Sequence, residues 1–292
     1  MRLLPSDPIL LFLSQSQTEA ISEEQLELLR SEYGLDKPVI EQYVNWISDL
    51  VRGDLGDSII NKRPVTSELL RRIPITLHIG LLAFILGVII GIPAGVICAV
   101  RRASWIDLVV TTMANIGITL PTFWLALLLM YVLGLQLGWL PISGYSTGIE
   151  NFGLNTRQII MPVFCLAIFP IAGIARQTRS SMLEVMKQDY IRTALSKGLP
   201  ERIVVIRHAL KNGLIPIVTL SGLQLSHIIG GSVFIETVFV IPGMGSLLVN
   251  SVLNQDYPYV QGITFIIAVV VLLVNIIVDI TYGYIDPRIR FS

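Results

Sequence analysis

Charge is what this sequence has least of. Only 14% of its 292 residues are Asp, Glu, Lys or Arg, while 53% are hydrophobic. Soluble domains carry about 25% charged residues. The deficit excludes an ordinary water-soluble globule and points to lipid as the solvent, as does a mean hydropathy of +0.70. Cysteine is nearly absent. Cys98 and Cys165 both lie in apolar runs, where a thiol behaves as a small hydrophobe, and no disulfide framework or thiolate metal centre fits their spacing. Histidine is equally sparse: His78 and His227 fall in separate apolar stretches and His208 in a loop. A lone histidine at membrane depth serves more often as a helix–helix hydrogen bond than as a ligand. There is no G-x-x-x-x-G-K-[S/T] and no H-E-x-x-H, which removes a P-loop and a zincin site. Ser226 precedes His227, but helix neighbours point about 100° apart and cannot act as nucleophile and base. The chain is therefore expected to be no enzyme, to bind no metal and no cofactor of its own, and to have no nucleic-acid partner.

Long apolar runs are what the sequence has instead. About 20 mainly apolar helical residues span the hydrocarbon, and five stretches qualify: near 75–100, 106–137 (interrupted by Pro121), 159–175 (flanked by Pro162 and Pro170), 214–240 and 260–282. The expected fold is all-α and polytopic, with five visible transmembrane helices. Lys and Arg set the orientation. Arg101 and Arg102 follow the first span, eight basic residues from Arg176 to Lys211 separate the third and fourth, and Arg288 and Arg290 follow the fifth. The segments after the second and fourth spans contain only Arg157. The basic loops, and the C-terminus with them, are assigned to the cytoplasm.

The first 72 residues hold twelve acidic and eight basic side chains and so belong outside. They read as a small helical external segment. Ser22 and Gln25 suggest a capping pair ahead of Leu26, Leu29 and Tyr33, with Gly34 as the stop. Pro38 then opens a second helix carrying Val39, Tyr43, Ile47 and Leu50, with Gly53 ending it. The expected division is 1–72 external, with the remnant of a first transmembrane helix; 73–285 membrane domain, with a cytoplasmic loop at 179–212; and 286–292 cytoplasmic tail.

Ionisable residues within the spans are few: Asp107, Glu236 and Asp279. Each is expensive in lipid and is a functional candidate by default. Asp107 and Asp279 lie near cytoplasmic ends, where pairing with basic neighbours such as Arg101 or Arg288 is expected. Glu236 lies toward the outer end of the fourth span and fits either pathway lining or structural pairing.

The most informative stretch is Gln188 to Pro216, "QDYIRTALSKGLPERIVVIRHALKNGLIP". Tyr190, Ala194 and Leu195 share a helical face. Gly198 and Pro200 break the helix, and Gly198 is expected at φ > 0 or in close approach to a partner. Ile203, Ile206 and Leu210 then form a second apolar stripe. A basic loop that only obeys the positive-inside rule needs no ordered break between two stripes. This pattern suits docking onto a cytoplasmic partner.

These residues resemble the cytoplasmic coupling loop of ATP-binding cassette (ABC) importer permeases. In its general form that loop reads E-A-A, three residues, Gly, nine residues, I-x-L-P. The sequence keeps Ala194, Gly198 and Leu210 but has Arg192 and Thr193 for Glu and Ala, His208 for Ile and Lys211 for Pro. Those departures are similar to the branch that imports di- and oligopeptides, nickel and glutathione, whose version reads Y-[VI]-R-T-A-x-x-K-G-L, then R-H-x-L-[RK]-N, then I-P. The likeness continues through "LLPSDP", with Ser6 for the usual Gly, and through "YGLDKPVIEQYVNW", "GDLGDSI", "RRIPITLHIG", "TLPTFWLALLL", "FIETVFVIPGMGSLL", "NQDYPYVQG" and "VDITYGYIDPRIR". Members of that branch begin with a whole transmembrane helix ending at L-x-P-G-D-P, so a sixth helix, encoded upstream of Met1, is expected.

The resemblance implies a type I ABC importer permease fold in the bacterial inner membrane. It implies a second homologous permease, two ATP-binding subunits that hold ATP and magnesium, and an external solute-binding protein as partners, with membrane lipid around them. It implies coupling to the ATPases through Tyr190, Arg192, Thr193, Ala194, Lys197, Gly198, Leu199, Arg207 and His208. Glu236, the Pro242–Gly243–Met244–Gly245 turn and Asp256–Tyr257–Pro258 would lie along the pathway near an outer gate. A peptide-like solute is the leading substrate class, with nickel or glutathione as the alternative. A non-transporting membrane scaffold and an ATP-independent carrier are the rivals from other classes.

Overall fold

The computed structural model describes residues 27–28, 30–31, 36–149 and 151–285. The expected helix from Ser22 to Gly34 and the cytoplasmic tail with Arg288 and Arg290 lie outside the described residues, as does the "LLPSDP" motif. So does the side chain of Asp279.

The described chain is nearly all helix, with one isolated antiparallel bridge between Asp57 and Pro64. In chain order the α-helices of eight residues or more are α1 (Val39–Val51), α2 (Val65–Val100), α3 (Trp105–Thr119), α4 (Thr122–Leu129), α5 (Phe152–Val185), α6 (Asp189–Ser196), α7 (Ile215–Val238), α8 (Met244–Leu253) and α9 (Tyr257–Ile285). Wider π-helical turns continue α4 over Met130–Gln136 and occupy Val204–Ala209 after α6.

Among the described residues four helices are long and apolar enough to cross a membrane: α2, α5, α7 and the Tyr257–Val278 part of α9, with mean hydropathies of 2.7, 2.2, 1.4 and 2.6. The expected second span differs from a plain crossing. It is a pair, Trp105–Thr119 and Thr122–Gln136, bent by 103°. Pro121 has no N–H to donate, and it forces Leu120 into an extended conformation (φ −70°, ψ 124°). Counted as one broken span, the pair brings the total to five. The third span also differs. It extends well past the expected 159–175, because α5 runs unbroken for 34 residues with Pro162 and Pro170 inside it. Membrane helices tolerate such prolines where neighbouring elements meet the freed carbonyls.

The chain divides into two compact units. One combines the segment ending at Thr76 with Pro242–Val269; the other is Leu77–Ile241 with the chain from Val270 onward. The first unit is organised on Leu55, Val65, Leu69, Met244, Leu247, Tyr259 and Ile263. The expected second external helix is present as α1. Pro38 is its N-cap, Arg52 its C-cap, and Gly53 follows at φ +83°. Its expected apolar stripe is not its buried one. Val39 and Tyr43 are exposed, Ile47 and Leu50 are half-buried, and Gln42 is buried with its amide donating to the Lys37 carbonyl at 2.7 Å.

In the second unit α2 packs against α5 through Gly87, Gly91 and Gly95. A Cβ on Gly87 would lie 3.0 Å from Pro170, one on Gly91 2.9 Å from Ile174, and one on Gly95 2.5 Å from the Ala175 carbonyl oxygen. Lipid tails are as apolar as these side chains, so association rests on close van der Waals contact that only small residues permit.

Candidate functional site

The basic segment is built on a buried seam in the second unit. Ile191 and Ala194 of α6, Val204, Val205 and Ala209 of the π-helical stretch, Ala99 at the end of α2 and Met182 of α5 form one cluster. Asp189 sits in the first turn of α6, where a carboxylate favours the helix dipole. Two hydrogen bonds close the segment. Asn212 Nδ2 donates to the Tyr190 hydroxyl at 2.9 Å, and the Ser181 hydroxyl donates to the Gly213 carbonyl at 2.9 Å.

The predicted faces are partly corrected. Of Tyr190, Ala194 and Leu195, only Ala194 turns inward; the other two are 43% and 46% exposed. Ile203 and Ile206 are exposed as well, and Val204, Val205 and Ala209 are buried in their place. For Ile206 the cause is the π-helical turn over Val204–Ala209; Ile203 lies ahead of it. The turn's i→i+5 repeat rotates each following residue off a 3.6-residue stripe. Gly198 does have the left-handed backbone expected of it, φ +80°, and a Cβ there would meet nothing within 4 Å in this chain.

The outcome is an exposed patch. It combines Tyr190, Leu195 and Leu199 with Arg192, Thr193, Lys197, Gly198 and Arg207, while His208 is half-buried. The Arg192–Asp189 ion pair at 3.7 Å is largely solvated and contributes little.

The residues assigned to the outer gate fall in both units. Glu236 belongs to α7 and is 1% exposed. Shortly after it Val240 adopts φ +54°, a strained conformation for a β-branched residue, and no sequence signal announced it. In the other unit the Pro242–Gly243–Met244–Gly245 turn is held from α2. Arg72, paired with Glu68 at 2.6 Å, donates to the Gly243 carbonyl at 3.3 Å, and the Met244 N–H donates to the Thr76 hydroxyl at 2.9 Å. Gly245 is buried at the start of α8. Asp256 is 2% exposed and accepts hydrogen bonds from the Ser58 hydroxyl and the Ile59 N–H. Burial pushes its carboxyl above the usual range, against the opposing pull of Ser58 and the backbone amides of Ile59, Ile60 and Tyr259. Tyr257 is buried. Pro258 lines a cavity of about 540 Å³ with Trp46, Asp49, Asp57, Lys62 and Gln261.

Sequence reasoning missed one partnership. Asp107 pairs with Arg179 of α5 rather than with Arg101. Arg179 Nε and Nη2 reach its two oxygens at 2.6 and 2.8 Å. The Ala103 N–H and the Thr111 hydroxyl donate to the same carboxylate at 3.0 and 3.3 Å. His78 and His227 each meet an aromatic ring, the first from the loop after the broken second span and the second from α5. His78 Nδ1 lies 2.9 Å from the Tyr145 hydroxyl, and His227 stacks on Phe169 with ring centroids 4.4 Å apart. Cys98 and Cys165 are free and buried.

The overall helical fold is that of ABC importer permeases. An inward-facing structure of the MetNI methionine ABC transporter aligns with 75% of this chain and 96% of its own, at a TM-score of 0.61 and 17% identity. Residues 91–291 match the family described as the binding-protein-dependent transport system inner membrane component. The chain is 42% identical to the oligopeptide transport system permease protein AppB of Bacillus subtilis (strain 168), over all of this chain and 92% of that one. It is 38% identical to the di/tripeptide transport system permease protein DppB of Pseudomonas aeruginosa (strain UCBPP-PA14), over 99% and 91%. The chain belongs to the binding-protein-dependent transport system inner membrane component family and is a multi-pass protein of the inner membrane.

Proposed function

We propose that this chain is the permease subunit that forms the translocation pathway for a peptide-like solute. In that reading it works with a second homologous permease, two ATP-binding subunits and an external solute-binding protein. The substrate class is supported by relatives named for oligopeptides and for di- and tripeptides, which align over nearly their whole lengths. Coupling is assigned to the exposed patch around Gly198, with the C-terminus on the same, cytoplasmic side. The outer-gate role is assigned to Glu236, the Pro242–Gly245 turn and Asp256–Tyr257–Pro258. ATP and magnesium belong to the partner subunits.

The observation that carries coupling is the contrast within one short segment. One side of α6 is locked into a core by Ile191 and Ala194, while Tyr190, Leu195 and Leu199 stand exposed among basic residues. A rigid knob of that kind transmits a push. A solvated linker has no use for exposed apolar side chains.

Gly198 supplies the test. Its Cβ position is open within the chain, so Gly198→Ala carries only the left-handed backbone penalty, about 1–2 kcal/mol. Gly198→Asp adds negative charge to a basic surface. In the complex reconstituted with its binding protein, Gly198→Asp is expected to abolish substrate-stimulated ATP hydrolysis, with the membrane level of the chain and the basal ATPase rate unchanged. Full stimulation in that variant would reduce the segment to a basic linker.

A further inference from the structure

At the end of α2 the chain leaves its apolar stretch beside a cavity of about 590 Å³. Its walls are aliphatic: Val96, Ile97 and Val100 of α2, Ile106 of α3, and Val205 and Ile206 of the π-helical stretch. Its rim carries Arg101, Arg202 and Glu201. Two backbone features open it. Ala103, at φ +60°, turns the chain sharply between α2 and α3. The wide turn over Val204–Ala209 draws Val205 inward and leaves Ile206 54% exposed. Ile97 and Val100 are also uncovered, at 47% and 37%. Among the described residues neither arginine has an ion-pair partner.

An apolar cleft rimmed by two guanidiniums, at the end of a helix long and apolar enough to cross a membrane, has a specific chemical complement. We infer that it binds an anionic glycerophospholipid. The acyl chains would lie along the aliphatic walls, and the phosphate would be shared by Arg101 and Arg202, whose planar forks suit phosphate oxygens. The rim carries two positive charges and one negative, which favours a net anionic headgroup over a zwitterionic one. Glu201 accepts hydrogen bonds only, so a headgroup bearing hydroxyls, such as that of phosphatidylglycerol, satisfies it as well. A free phosphate would leave the walls unused. A lipid held here touches both the end of α2 and the segment that follows α6, so its occupancy would stiffen the basic patch from behind.

The test is photolabelling of the full chain in phosphatidylcholine nanodiscs doped with a diazirine-acyl phosphatidylglycerol, with adducts mapped by peptide mass spectrometry. Adducts should concentrate in 96–106 and 201–206, and unlabelled phosphatidylglycerol should displace them. Arg101→Gln with Arg202→Gln should lower labelling there roughly tenfold or more, since each cation near an anionic surface contributes about a factor of five. Ile206→Trp, which fills the cleft while leaving every charge in place, should lower it too. Labelling spread evenly along the spans, or unchanged in both variants, would overturn the proposal. So would equal displacement by phosphatidylcholine, phosphatidylethanolamine or inorganic phosphate. Protection of both segments on addition of the ATP-binding subunits would make the cleft a protein interface instead, and would overturn it as well.

Discussion

Breaking the Asp107–Arg179 pair should be the most damaging charge change in the described chain. The Asp107 side chain is 6% exposed and the Arg179 side chain 31%. The carboxylate takes two donors from Arg179, one from the Ala103 amide and one from Thr111. Removing one partner of a buried pair costs about 3–5 kcal/mol, because the other charge stays behind unmatched. Water can reach part of the guanidinium, so the lower end applies: about 3 kcal/mol for Arg179→Gln, and a similar amount for Asp107→Asn, whose amide then faces the guanidinium. In Asp107→Asn with Arg179→Gln no charge remains to strand. That double variant should lose little more than either single one, a coupling of about 2 kcal/mol. The measurement is SDS-driven unfolding of the purified chain in mixed micelles, followed by far-ultraviolet circular dichroism. Losses that simply add in the double variant would show the two residues to be independent, and the link between α3 and α5 would then rest on packing alone.

Gly95→Val should be worse than any charge change, because its Cβ position lies 2.5 Å from a carbonyl oxygen and α2 would have to move away from α5. Expect the monodisperse fraction after detergent extraction to collapse, with Gly230→Val, whose Cβ position is open on an ordinary helical backbone, retained as the control. For Asp256 the sign follows from its raised carboxyl. Its stabilising contribution is complete below the ordinary carboxylate range of about pH 4 and is lost as pH rises through the raised value. Wild type should therefore lose thermal stability relative to Asp256→Asn as pH rises above about 4, and a pH-independent difference would refute this. In a cysteine-free background, cysteine at Lys197 should react with an impermeant reagent only from the cytoplasmic side, and cysteine at Thr147 only from the other. Reversed labelling would sink the orientation and the coupling assignment together.

Features set by local chemistry could be read from the sequence; features set by a distant neighbour mostly could not. Pro38 and Gly53 bracket α1 where expected, since both act on their own backbone. Pro121 announced an interruption, yet nothing local specifies that the chain turns through 103° there. The stripe at Ile203, Ile206 and Leu210 assumed a 3.6-residue period, and a π turn has no residue signature strong enough to override that assumption. Asp107 was recognised as needing a cation, but the choice between Arg101 and Arg179 depends on how α3 packs on α5. The run Gly87, Gly91, Gly95 is a small-residue repeat at four-residue spacing and was available as a helix-packing signal. The backbone contacts in α5 show what it was for.

Gly198 shows where this limit falls within one residue. A glycine ahead of Leu199–Pro200 signals a left-handed turn, because the energetic reason lies in its own φ and ψ, and the backbone adopts φ +80°. The second expectation, close approach to a partner, finds no contact within this chain: the nearest 4 Å around its Cβ position is open. A glycine needed only for its turn would be followed by a chain that covers its own apolar side chains. Here Tyr190, Leu195 and Leu199 remain uncovered around it, and Lys197 and Arg207 add positive charge with no ion-pair partner among the described residues. Exposed apolar and cationic groups on a segment anchored by its own core are what a docking surface requires. In the proposed coupling role the contact that explains this glycine would lie outside the chain, and isolated-chain stability would be the wrong place to look for it. Gly198→Ala and Gly198→Asp should differ little in the unfolding of the purified subunit and widely in the ATPase coupling of the assembled complex. If the two variants instead differ as much in the first assay as in the second, the open space around Gly198 is an internal feature of the fold, and the docking surface must be sought elsewhere.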